Sequence, residues 1–468
     1  MRLSLLATAV LAFGLAAAPL AAREAAPALV TPPSGVLGVE EAQLTPQFWI
    51  GLQAQPDRVI LDRSAIEAQN ARLLQLDPSM HDLRKLPATL GRDQVSGWIT
   101  GLAGRPGKTL YDAAGKPVPA ATLDAVLDAR ALDAIPASQP ARYGLVVRRA
   151  ALRTFPTALR VFGEPGDTDI DRFQETAEFP GTPVVIAHAS RDGKWLFVVS
   201  PRYAAWTEKE NVAEGSAAQV LGYAGKAQAY RVITGATERT VFTPERPELS
   251  QLQLDMGLRV PLQAGLAPDQ PVNGQAAYAA WTLELPYRDA GGRLAFSPAL
   301  LQKNTDTAGD YLPLTPANII RQAFKFLGER YGWGHDYDGR DCSGFVSDVY
   351  RSMGVQMPRN TSRQAVSPAL AHRAFTAADS HEARLAAARA LQVGDLVYIP
   401  GHVMMVIGQR DGQPYVIHDV GGMTYAQADG SLRHVKLNAV SVTPLLPMLT
   451  GRRKPYIDIM TSIVRIRR

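Results

Sequence analysis

The sequence predicts a multidomain α+β protein: a mostly helical N-terminal segment, two small β-barrels in tandem, and a C-terminal α+β domain. Three observations lead there. The chain has 468 residues, which at roughly 150 residues per domain means about three domains. Apolar residues make up 46% and charged residues 20%. That suffices for cores and excludes a disordered, collagen-like or polytopic membrane chain. The local pattern also shifts along the chain, from helical spacing to short strands and back to a mixture.

The chain opens with a charge at Arg2 and an apolar run over residues 3–22, broken only by Ser4, Thr8, Gly14 and Pro19. The run ends in small residues, Ala21 and Ala22 among them. This is the pattern of a secretory signal peptide at 1–22. The run nearly reaches spanning length, so an uncleaved anchor is the alternative. Its alanine content and the lack of a large apolar flank favour cleavage. The mature chain is then expected outside the cytoplasm, periplasmic or extracellular, with no integral membrane segment.

Residues 23–140 read as a helical stabilising segment. It begins Ala/Pro-rich and holds helix candidates at 64–76 (Ile66, Leu73, Leu74, Leu76) and 120–132 (Leu123, Val126, Leu127, Leu132). Residues 141–212 carry short strand-like runs at 144–147, 182–187 and 195–200, separated by Gly, Pro and Asp; this suits a first small barrel. Residues 213–303 have the same texture and form the expected second barrel. The string YAAWT occurs at 203–207 and again at 278–282, a weak sign of repetition. A polar linker at 304–310 leads into the last domain, 312–468. There Thr315 is a predicted N-cap, with Pro316 in the first helical position and Ile319, Ile320, Ala323, Phe324 and Leu327 on one face.

Net charge is +5, from 49 basic and 44 acidic residues. The last 18 residues hold six Lys/Arg and one Asp, so they account for the whole excess. With no long basic stripe, nucleic acid is not an expected partner. There is one cysteine, Cys342, which excludes an internal disulfide and a multi-thiolate metal site. In an exported protein a lone cysteine is a buried inert thiol, an intermolecular link or a nucleophile.

The stretch 331–354, YGWGHDYDGRDCSGFVSDVYRSMG, favours the nucleophile. Asp341 caps a helix whose apolar positions are Phe345, Val346, Val349 and Met353, with Gly354 as a stop. Cys342 then sits in the first turn, where free N–H groups and the positive dipole end lower a thiol's pKa. The glycine-rich approach (Gly332, Gly334, Gly339) is expected to leave the sulfur accessible. Among eight histidines, His81 and His188 read as surface or packing residues. His372 and His381 fall in an Ala-rich helical insert, His434 in a polar stretch, and His335 in the loop before the cysteine. His402 and His418 flank a predicted hairpin. A three- or five-residue loop would set them directly opposite each other, with Cβ atoms ~4.5–5.5 Å apart. A two-residue turn at Asp411 and Gly412 would turn His418 to the other face.

These strings, with PRNTSRQA, GDLVYI, HVMMVIG and VIHD, resemble the NlpC family of papain-like cell-wall cysteine peptidases. The match covers about residues 312–468, and the preceding texture resembles members with a stabilising segment and two bacterial SH3-like barrels. The resemblance implies a cysteine peptidase that cleaves peptidoglycan stem peptides or muropeptides, typically at the γ-D-glutamyl–diaminopimelate bond, with no cofactor. It makes Cys342 the nucleophile, His402 the base and His418 the residue that orients the imidazole. It places Tyr331 near the oxyanion, and Trp333, Asp341, Ser343 and Thr361 at substrate contacts. One SH3-like barrel is then expected to restrict the enzyme to peptides with a free N-terminal L-alanine, through an acidic side chain. The chain departs from the family at His335, where a second glycine is common, and in a long segment at 366–392. The competing expectations are a catalytically inactive wall-binding protein, a thioester-dependent acyltransferase, and a zinc site built from Cys342, His402 and His418.

Overall fold

The computed structural model describes residues 29–223, 225, 229–267 and 269–467. The expected signal peptide lies outside the described residues. Among them, no helix is long and apolar enough to cross a membrane.

The N-terminal segment is helical where the spacing predicts it. The helix Arg63–Leu76 starts at Asp62, whose carboxylate accepts the Ala65 N–H at 2.8 Å, a side-chain N-cap. The helix Ala120–Asp128 stops short of residue 132, and Ala131 is left-handed at φ 48°. A left-handed non-glycine residue ends a right-handed helix. The segment is no independent layer. Leu90, Val95 and Ile99 pack with Val185, Phe197 and Trp206 of the first barrel, while Trp49 and Ile66 enter the core of the C-terminal domain.

The first barrel is a seven-stranded sheet between Arg142 and Gly215, every neighbouring pair antiparallel. The second β module combines a three-stranded sheet (Tyr230–Ile233, Arg259–Pro261, Thr307–Ala308) with two hairpins, of which Ala280–Arg288 with Leu294–Gln302 is the longer. The shared YAAWT string has no common role. Trp206 is fully buried against Phe197, whereas Trp281 is half-buried with Arg231 over its ring at 4.2 Å.

The C-terminal domain packs the helices Pro316–Phe324 and Cys342–Arg351 on a six-stranded antiparallel sheet. The Thr315 hydroxyl caps the first by accepting the Asn318 N–H at 3.1 Å. The strand His402–Arg410 is apolar almost throughout because it is buried on both faces. Val403, Met405 and Ile407 meet Phe345 and Val346 of the Cys342 helix, while Met404 and Val406 meet Ala387 and Ala388 of the helix His381–Arg389. Continuous apolar runs mark strands covered on both sides. The insert at 366–392 is helical only in part: Ala371–Ala374, with His372, is an edge strand paired with Ser462–Arg465. Alanine supplied the helical expectation there, and pairing with the C-terminal strand overrides it.

The hairpin corrects the expected turn. The strands pair Arg410 with Gln413, leaving a two-residue turn at Asp411 and Gly412 with φ 53° and 74°. Both central residues being left-handed is what such a turn requires. A bulge between Val406 and Gly408 then shifts the register, so that Met405 faces Ile417. One inserted residue reverses the face assignment of everything beyond it. The turn alone would have separated His402 from His418; the bulge returns them to one side.

The modules are joined by buried charge. Arg340, fully buried, donates to Asp348 and Glu329 of its own domain and to Asp255 of the second module, the last at 2.8 Å. Arg149 of the first barrel also donates to Asp255 and to the carbonyls of His335 and Gly339.

Candidate active site

Cys342 is the first residue of its helix, as the Asp341 cap predicts. The Asp341 carboxylate accepts the Gly344 N–H at 2.8 Å and the Ser343 hydroxyl at 3.1 Å. It is held from the other side by the Arg359 guanidinium, bidentate at 3.2 and 2.7 Å. Burial works to raise the Asp341 pKa, but Arg359 outweighs it and keeps the group below the ordinary carboxylate range. Arg359 also donates to the Ser343 hydroxyl and to the Thr176 hydroxyl of the first barrel. The cap of the cysteine helix is thus locked to the barrel wall. No local pattern announces the Arg359–Thr176 pairing, because the two lie far apart in the chain.

Cys342 as a residue is only 5% exposed, against the expectation of an accessible thiol. Its pKa is also not lowered: burial, then the adjacent Asp341 carboxylate, push it up to about 12. Two groups act the other way, the Thr361 hydroxyl 3.7 Å from the sulfur and the Val403 N–H directed at it. The partial charge of a helix end does not offset complete desolvation of a thiolate.

The Val403 contact sets the sulfur at the start of the strand whose first residue is His402. His402 Nε2 meets His418 Nδ1 at 2.7 Å, and His418 Nε2 meets the Thr443 hydroxyl at 2.9 Å. The Thr443 hydroxyl donates to the Met448 sulfur at 3.4 Å, so its oxygen is left to accept from His418. His418 then carries its proton on Nε2 and accepts at Nδ1, and His402 donates from Nε2. The Nδ1 of His402 is left as the basic nitrogen. Burial lowers the His402 pKa to about 4; burial and then His402 push His418 well below its ordinary value. Both rings are neutral near pH 7.

Tyr331 and Trp333 lie in the approach to the cysteine. Burial, then Cys342 and Asp341, raise the Tyr331 phenol, so it remains a neutral donor. Trp333 is turned onto the barrel, its Nε1–H donating to the Gln174 carbonyl at 3.1 Å. His335, at φ 63°, is 3% exposed, edge-on to Phe179 and directly over Gly344. Burial lowers its pKa far below the ordinary value, so it packs as a neutral ring and adds no charge to the cleft.

Several residues of the site escaped sequence reasoning. Glu175 of the first barrel accepts from the Tyr203 and Thr154 hydroxyls, and Tyr203 lines a small pocket with Arg359 and Asn360, next to Thr361. Asp419 is fully buried with no hydrogen-bond partner for either oxygen among the described residues. The remaining histidines stand apart from the sulfur: His188 bonds the Ala131 carbonyl, His372 that of Leu370, and His381 pairs with Asp458. His81 borders the Tyr203 pocket. His434 lines a wider cavity with His402. Among the described residues, no cluster of three or more His, Cys, Asp or Glu side chains is arranged to hold a metal.

Comparison with known proteins identifies the domains. Residues 328–440 match the NlpC/P60 family and residues 160–208 match an SH3 domain of the SH3b1 type. No curated relative matches the chain. An NlpC/P60 endopeptidase from Photobacterium damselae subsp. piscicida shares the fold with a TM-score of 0.69 and 17% identity, over 85% of this chain and 90% of that one. An NlpC/P60 family protein from Bacillus cereus is 20% identical over 69% of this chain and 99% of that one, with a TM-score of 0.44. The chain therefore carries a C-terminal NlpC/P60 domain behind SH3-like β modules, the layout its motifs resemble.

Proposed function

We propose that this NlpC/P60-domain protein is an exported cysteine endopeptidase that hydrolyses peptidoglycan stem peptides at the γ-D-glutamyl–diaminopimelate bond. One observation carries the reading: the capped Cys342 receives the Val403 N–H, and the neighbouring His402 is aligned by His418 and Thr443 with its basic Nδ1 left over. In the resting site the thiol and both imidazoles are neutral. His402 Nδ1 takes the thiol proton as the sulfur attacks the amide carbonyl, so that the C–S bond forms as the ion pair forms. The Cys342 N–H and the Tyr331 hydroxyl receive the oxyanion. His402 returns the proton to the leaving amine as the C–N bond breaks, and then activates the water that hydrolyses the thioester. His418 holds the tautomer throughout, the role of the third member in other triads.

On this reading Trp333, Ser343 and Thr361 contact the acyl side of the substrate, and Tyr203 and Glu175, hydrogen-bonded to each other on the first barrel, complete it. Glu175, an acid beside Tyr203 on the barrel, is the group we assign to the free amine of an N-terminal L-alanine, which would restrict the enzyme to stem peptides already freed from glycan. The test is digestion of L-Ala-γ-D-Glu-diaminopimelate peptides and of intact glycan-linked stems, read by mass. Cleavage of the free peptide, lost in Cys342→Ala, supports the proposal. An intact free peptide, with retained binding to wall material, would identify a wall-binding protein instead.

A further inference from the structure

His402 lines a second space, distinct from the acyl side. It is a cavity of about 800 Å³ between the 166–170 loop of the first barrel and the strands Gln413–Ala426 and Leu432–Pro444. Its wall carries Arg330, Lys436 and Asn438, all three held by Asp169 of the barrel loop, Arg330 at 2.6 Å, Lys436 at 3.5 Å and Asn438 at 3.4 Å. Asp169 divides one charge between two cations, so each is only partly answered by it, and a second acid, Asp167, stands apart at the rim. The 3.5 Å contact leaves the Lys436 ammonium free to turn to an incoming anion. Asp167 stands at the exposed rim and accepts from the Asp169 N–H within its own loop at 3.3 Å. His434 is engaged with the Thr424 hydroxyl at 3.0 Å. Asp419 also lines the cavity, a buried carboxyl with both oxygens unpartnered.

This inference rests on the peptidase reading above. The base that protonates a leaving amine must face it, so the residue that carries that amine lies in the cavity His402 lines. We propose that Lys436 and Arg330, set by Asp169, are specificity-determining residues that bind the side-chain carboxylate of a diamino diacid on the leaving side. The mixed lining suits a zwitterionic side-chain end: the carboxylate goes to the two cations, and Asp167 at the rim suits the ammonium, while burial raises the Asp419 carboxyl far above its ordinary value and keeps it a neutral polar group. A leaving residue with an ammonium but no side-chain carboxylate would leave Lys436 and Arg330 unanswered, which is how such sites discriminate.

The experiment measures kcat/KM for L-Ala-γ-D-Glu-meso-diaminopimelate and for the same peptide ending in L-lysine. The wild type is expected to prefer the first by about tenfold or more. Lys436→Met should lower that ratio by about tenfold, and Lys436→Glu should lower it further. Asp169→Asn, which loosens both cations, should also lower it. A purely structural role would slow both peptides together and leave the ratio unchanged, which overturns the proposal. So does a wild-type ratio near one. Cleavage of neither peptide by the wild type overturns the peptidase reading itself, and this inference with it.

Discussion

On the proposed reading, Cys342 is a nucleophile held at rest as a neutral thiol. Because burial pushes its thiol up to about 12, alkylation by iodoacetamide should be slow at pH 6–7 and accelerate only in alkaline solution. A labelling rate with a midpoint below pH 7 would contradict the site described here. The base shows the opposite shift. His402 is held near 4 by burial, so it stays neutral well below pH 6, and the acid limb of kcat/KM should fall near pH 4 rather than near 6.5. The same depression makes acid destabilising. Between the unfolded value of 6.5 and the folded value of about 4, the unfolded chain binds the extra proton. Stability should then fall with pH across that window by ~1.4 kcal/mol per pH unit for such a group, as urea unfolding at stepped pH would read. Thr443 acts through His418. Thr443→Val leaves a buried ring nitrogen without its acceptor, a loss of ~1–3 kcal/mol. It should lower kcat about tenfold with little change in KM, whereas a packing defect alone would leave kcat of the folded fraction unchanged.

At the scale of elements, the cysteine helix depends on a residue from outside it. Arg359 neutralises the buried Asp341 cap and ties it to Thr176. Breaking a buried pair by removing one partner costs ~3–5 kcal/mol, so Arg359→Met should lower thermal stability and activity together, and Arg359→Lys should recover little of the bidentate geometry. The helix itself was legible in the sequence, because an Asp cap and apolar residues at helical spacing are local signals. The hairpin was legible only in its outcome. The expected longer loop proved to be a two-residue turn; the bulge after Val406 returned the histidines to one side of the sheet, but diagonally, with His418 opposite Met404 in the register and not opposite His402 as expected. A bulge depends on how the strand is packed, here with Trp49 lying against Gly408, and no local residue pattern announces it.

Over the whole molecule, the modules share cores and buried charges instead of standing as beads. Trp49, fully buried and 4.9 Å from the Tyr415 ring, completes the C-terminal core from the far end of the chain. Truncating such a side chain costs ~3–5 kcal/mol, so Trp49→Ala should destabilise the C-terminal domain, and residues 312–468 expressed alone should unfold at lower urea than the full chain. The Arg149–Asp255–Arg340 cluster joins all three β-containing modules, so calorimetry should show one main transition. Separate transitions for barrels and peptidase domain would contradict that coupling.

Sequence alone determined the succession of modules, the helix caps at Thr315 and Asp341, and the choice of Cys342, His402 and His418 as candidates, since each rests on spacing within a short stretch. Tertiary structure decided the protonation of the sulfur, the barrel residues packed beside the cysteine helix, and the charges that line the cavity at His402. Those depend on desolvation and on approach between residues hundreds of positions apart, quantities that a linear pattern does not contain.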